Sequence, residues 1–148
     1  MSFNTMKRIT LAILLLTAAF TTNAQDHSAD KGIVMLTAFY KNYITISSDH
    51  EMDLNVMEAK LAALKRRYCT SACLKQIVKL TEETDADPII QAQDSYKELL
   101  STLVVKKDTK KPNRYLVSYI DTAGSRQKTT IYVTLATQNT SLKIAHLE

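Results

Sequence analysis

Residues 85–94 read DADPIIQAQD: three aspartates, one proline and two glutamines around Ile89 and Ile90. Carboxylates this dense can hold a cation, move a proton or turn the chain. Asp85 and Asp87 begin like a calcium loop, but Pro88 follows and no glycine supplies the sharp turn. Tyr96 stands where the closing glutamate belongs. No metal is therefore expected. Asp87 and Asp94 are the right residue types for an acid and base pair, although spacing along the chain does not set their separation. The structural reading fits the residues better. Asp87 N-caps a short helix with Pro88 at its first position, Ile89 and Ile90 pack inward, and Gln93 and Asp94 close the corner on backbone groups.

The other reactive side chains are few. Cys69 and Cys73 are four apart, which is neither the redox CxxC nor half of a zinc site. An exported chain permits a disulfide between them; two free thiols are the equal alternative. His27, His50 and His146 are far apart, and no Ser-His-Asp or Cys-His set is identifiable. His146 shares the strand face of Leu142 and Ile144, so it is expected to point inward. Tyrosine dominates the aromatics: Tyr40 and Tyr43 share a helix face, and Tyr115 and Tyr119 share a strand face. An apolar body with a polar tip suits either a pocket wall or a core.

Met1 to Arg8 carry Lys7 and Arg8 ahead of the apolar run ITLAILLLTAAF (9–20), with small Thr22 and Ala24 before Gln25. This is the pattern of a secretory signal peptide over 1–24, followed by one domain over 25–148. No cysteine lies at the cut, so a lipid anchor is not expected, and the product belongs in the periplasm or outside the cell. No membrane span is expected after cleavage. Removing Lys7 and Arg8 leaves 17 of 19 basic residues against 15 acidic ones, a net +2 in place of +4. That is too weak a charge for a nucleic-acid partner. The charge is nevertheless uneven. Residues 25–96 hold 8 basic and 11 acidic side chains, and residues 97–148 hold 9 and 4. Two glycines in the whole chain rule out a glycine-rich phosphate loop, and no cofactor is expected.

The elements that must position these residues divide into two halves. Residues 31–46 place Ile33, Leu36, Tyr40, Tyr43 and Ile44 on one helical stripe, with Asp30 as N-cap. Residues 47–68 suggest a second helix, with a Ser48–Glu51 capping box and Leu54, Met57, Leu61, Leu64 and Tyr68 inward. A third over 70–84 starts at Thr70 or Ser71 and turns Leu74, Ile77, Val78 and Thr81 inward. After Asp94 the period becomes two. Strands are expected over 98–108, 113–121, 126–138 and 141–148, joined by short turns into an antiparallel meander. The fold class is α+β: N-terminal helices packed on a curved four-stranded antiparallel sheet.

FYKNY (39–43), YCT (68–70) and DADPIIQAQD resemble an uncharacterised family of exported Bacteroides proteins whose mark is an aspartate-rich corner ending in Ala92, Gln93 and Asp94. The resemblance runs from about residue 33 to 147. It implies the nuclear transport factor 2-like superfamily, in which a curved sheet wraps helices into a cone. Such cones hold pockets used by isomerases, ligand carriers and dimerisation modules, so what is implied is a cavity rather than a reaction. Leu142 stands where a tryptophan would open the last strand.

The function expected is an exported, non-enzymatic binding module with a pocket between helices and sheet, taking a small amphipathic molecule or an envelope protein. Its candidate residues are Tyr40, Tyr43, Asp87, Gln93, Asp94, Tyr115, Tyr119 and His146. One alternative is a periplasmic immunity or inhibitor protein that masks a toxin. Another is an isomerase- or hydratase-like enzyme in which Asp94, Tyr40 or His146 reaches into the cone. A homodimer through Thr130, Tyr132 and Thr134 on the open sheet face is also expected.

Overall fold

The computed structural model describes residues 29–122 and 126–148. The signal-like segment and His27 lie outside the described residues.

Helix α1 (Lys31–Ser47) starts where Asp30 Oδ1 accepts the amides of Gly32 and Ile33 at 2.8 and 3.2 Å. These bonds satisfy two of the amides a helix start leaves open. Its apolar face buries Leu36, Phe39, Tyr40, Tyr43 and Ile44, which broadens the expected stripe by Phe39. Helix α2 (Leu54–Tyr68) departs from expectation at its start. Asp53, not Ser48, is the N-cap, accepting from Asn55 and Val56. Ser48 instead ends α1 and is buried, so Ser48 and Glu51 form no capping box. Leu54 consequently falls in an exposed first turn, 66% open to solvent. Met57, Leu61, Leu64 and Tyr68 are half-buried, and α2 contributes no fully buried residue.

Helix α3 (Ser71–Thr84) is capped by the Thr70 hydroxyl accepting from Cys73 N. Cys73 and Ile77 face the core, whereas Val78 and Thr81 are exposed, because α3 meets the sheet along a narrower seam than its apolar pattern suggests. Asp85, in the left-handed region at φ 51°, ends the helix three residues before Pro88. A helical turn, α4 (Leu99–Thr102), replaces the start of the expected first strand. It buries Leu99, and the chain becomes extended only at β1 (Val104–Lys107).

Strands β1, β2 (Arg114–Ile120), β3 (Lys128–Gln138) and β4 (Ser141–Leu147) form one antiparallel sheet in the order β1-β2-β3-β4, and the sheet is not closed. The β3–β4 link is a two-residue turn with Asn139 and Thr140 both at positive φ, the geometry that matches strand twist. Tyr115, Val117 and Tyr119 on β2 and Ile131, Val133 and Leu135 on β3 alternate inward. With α1 they close one core in which Leu36, Phe39, Tyr40, Ile44, Val117, Ile131, Val133 and Ile144 are fully buried. Burial of each such aliphatic side chain contributes about 1.5–3 kcal/mol. Among the described residues no helix is long and apolar enough to cross a membrane.

Candidate functional site

The corner at 85–94 contains no helix. Asp87 and Ala92 instead pair as an isolated antiparallel bridge, with Asp87 N donating to Ala92 O at 3.1 Å, and the chain turns through Pro88, Ile89, Ile90 and Gln91. Asp87 still acts as an acceptor for the following backbone: its Oδ1 takes the Ile89 amide at 2.8 Å. Gln91 adopts φ 49°, which closes a miniature hairpin where a proline-initiated helix was expected. Pro88, Ile89 and Ile90 are buried, as the inward-packing expectation requires.

The second Asp87 oxygen reaches into the core. Tyr43 Oη donates to Asp87 Oδ2 at 2.5 Å, tying α1 to the corner. Burial, and then the neighbouring carboxylate, push the Tyr43 phenol well above its usual range. Tyr119 Oη donates to Ile90 O, a second tie from the sheet. Tyr115 Oη donates to Asp30 Oδ1 at 2.9 Å; burial and that bond push its phenol up to about 12. Tyr40 is fully buried with a hydroxyl that no described residue satisfies. Burial, and then nearby Cys69 and Asp87, raise its phenol strongly. These four tyrosines are packed into the interior, and three of their hydroxyls bind backbone or carboxylate rather than facing a ligand.

Cys69 and Cys73 are both buried free thiols. They share a hydrogen bond that, together with burial, holds Cys69 up and, against the effect of burial, draws Cys73 down. His146 is exposed rather than inward. A bulge in β4 explains the reversal: Thr134 pairs with His146 but Leu135 with Ile144, so Ala145 is an extra residue and the alternation changes phase. Leu147 takes the inward place, and Gln76 of α3 bonds to both its amide and its carbonyl.

Gln93 and Asp94 do not close the corner on backbone groups. Both are exposed, and among the described residues Asp94 accepts from Tyr96 Oη, at 3.3 Å. The Asp94 carboxylate is the main cause of an upward shift of the Tyr96 phenol. Together they edge a groove of about 340 Å³ at the rim between the corner and the end of the β2–β3 hairpin. Gln91, Tyr96, Leu99, Tyr119, Asp121, Gln127 and Thr129 complete its wall. The antiparallel pairing of Tyr119 with Thr129 is what carries the hairpin end to the corner. Of the residues picked out in the sequence, Gln93, Asp94 and Tyr119 line this groove; Tyr40, Tyr43, Tyr115 and His146 do not, and Asp87 braces it from behind. Tyr96, Asp121, Gln127 and Thr129 went unrecognised, since the β2–β3 register brings the last three to the corner and the chain after it brings Tyr96. Among the described residues no group of three or more His, Cys, Asp or Glu is placed to hold a metal. A neighbouring groove of about 460 Å³ runs from Ser48 to Glu98 but is more open and lacks a wall from the sheet.

Fold and groove together define an α+β domain with an open four-stranded sheet and a polar rim site. The chain is similar to a protein of unknown function from Bacteroides thetaiotaomicron VPI-5482, whose crystal structure matches with a TM-score of 0.71 at 28% identity, over 79% of this chain and 88% of that one. That likeness supports the resemblance to a Bacteroides-type family. No family model and no curated protein matches the sequence.

Proposed function

We propose that this protein is an exported, non-enzymatic binding module whose ligand is a small polar molecule seated in the rim groove. The convergence of Gln93, Asp94, Tyr96, Asp121, Gln127 and Thr129 around about 340 Å³ carries the reading. Amide, carboxylate and hydroxyl groups there can fix a ligand's orientation, and Tyr96 and Leu99 offer apolar flanks, the usual division of labour in a small-molecule site. The site thus moves from the helix–sheet interface, which side chains occupy, to the rim. Export is read from the signal-peptide pattern of residues 1–24, which supports a periplasmic or extracellular mature chain. Helices on one face of an antiparallel sheet are consistent with a nuclear transport factor 2-like cone. Of Asp94, Tyr40 and His146, any one of which would serve the isomerase- or hydratase-like alternative, Asp94 alone lines the groove.

The test is native mass spectrometry of the mature protein purified from its own host, beside Asp94→Asn and Gln93→Ala. Retained mass that leaves on denaturation, and that falls in the variants while their melting temperatures hold, is the expected result. A bare chain, together with no saturation-transfer NMR signal from a panel of polar metabolites, would refute the reading.

A further inference from the structure

We infer that the outer face of the sheet, away from the helices, is a docking surface for an acidic, aliphatic segment of another protein. Strand alternation leaves Leu116, Ser118 and Ile120 on the face opposite the inward Tyr115, Val117 and Tyr119. Register then sets Lys106 beside Leu116 and Lys128 beside Ile120. A depression of about 260 Å³ lies among Val104, Lys106, Leu116, Ile120, Lys128 and Thr130. Val104 and Ile120 are 42% and 39% exposed, which is high for aliphatic side chains that share one hollow.

Charge selects the occupant. Two carboxylates of the basic half, Asp108 and Glu148, are engaged by Arg114 at 2.5 and 3.3 Å. Among the described residues no carboxylate lines the depression, and neither Lys106 nor Lys128 forms an ion pair. A second copy docked through this face would bring lysine against lysine. A partner with two carboxylates around an aliphatic side chain complements it instead. Lys106 and Lys128 are two strands apart and offset by four residues along β2, a separation of roughly 16 Å from strand spacing and rise. An extended segment with acids at i and i+4 and a leucine between them spans most of that distance, and the long side chains close the rest.

The probe is the peptide acetyl-Glu-Thr-Leu-Thr-Glu-amide, with its lysine counterpart as control, titrated into the labelled mature chain and followed by amide NMR shifts. Shifts confined to the outer faces of β1, β2 and β3 are expected for the acidic peptide alone, weakening with salt. Lys106→Glu with Lys128→Glu should weaken binding at least tenfold while the circular dichroism spectrum stays unchanged. Equal binding of both peptides, or binding that survives charge reversal, would overturn the inference. So would a dimer in sedimentation velocity that Leu116→Arg dissociates, because the face would then serve a second copy. Phosphatidylglycerol vesicles that bind the chain when the peptide does not would overturn it in favour of a membrane surface.

Discussion

Replacing Asp87 with alanine is expected to destabilise the fold by about 3 kcal/mol, because one side chain satisfies two enclosed donors. Tyr43, 3% exposed, gives its hydroxyl to Asp87 Oδ2, and Ile89, 1% exposed, gives its amide to Oδ1. A buried donor left without a partner costs about 1–3 kcal/mol, and two at moderate cost give the figure above. The corresponding drop in melting temperature is roughly 10 °C for a domain of this size. Urea unfolding followed by far-UV circular dichroism and tyrosine fluorescence would measure it, since the chain has no tryptophan. Tyr43→Phe alone removes a donor and leaves the carboxylate partly hydrated, for about 1 kcal/mol. The double variant Asp87→Ala/Tyr43→Phe should therefore be more stable than the sum of the single losses by about 1–2 kcal/mol, as residues sharing one bond are not additive. An Asp87→Ala loss under about 0.5 kcal/mol, or strict additivity with Tyr43→Phe, would show that the corner is held by something else.

Two further outcomes follow from the start of α1. A Cβ on Gly32 would lie 2.3 Å from Tyr115 Cζ and Oη, so Gly32→Ala should destabilise by about 1–2 kcal/mol despite a helix-propensity gain of about 1 kcal/mol; Tyr115→Leu in the same chain should recover most of the loss in urea unfolding. Asp30 is one acid-sensitive group. Burial works to raise it, but the bonds from Tyr115, Lys107 and the amides of Ile33 and Gly32 together hold it below the usual carboxylate range. Its stabilising contribution is therefore complete above the unfolded carboxylate pKa, about 3.9, and is lost as pH falls through the lower folded value. Melting temperatures from pH 5 to pH 2 should fall less steeply for Asp30→Asn than for the parent chain, and parallel curves would contradict this.

Local chemistry was legible in the sequence wherever neighbours along the chain decide the outcome. Asp30 and Thr70 cap their helices because a carboxylate or hydroxyl just ahead of a helix meets its open amides without help from the rest of the fold. The inward alternation of Tyr115, Val117 and Tyr119, and of Ile131, Val133 and Leu135, follows from the two-residue period of a strand. The same local logic put the cap of α2 at Ser48, but Ser48 is claimed by the end of α1 and Asp53 takes the cap. Tertiary structure decided what depends on residues distant in sequence. The unpaired Ala145 flips His146 outward only through the register of β4 against β3. Asp87 stays a turn residue because Tyr43, 44 positions earlier, holds its carboxylate in place. The groove takes one wall from the corner and the other from the β2–β3 hairpin, and only the sheet register sets Thr129 beside Tyr119. Spacing along a chain fixes which face a side chain takes within its own element. Which elements meet, and so which side chains share a site, is fixed by packing across the core.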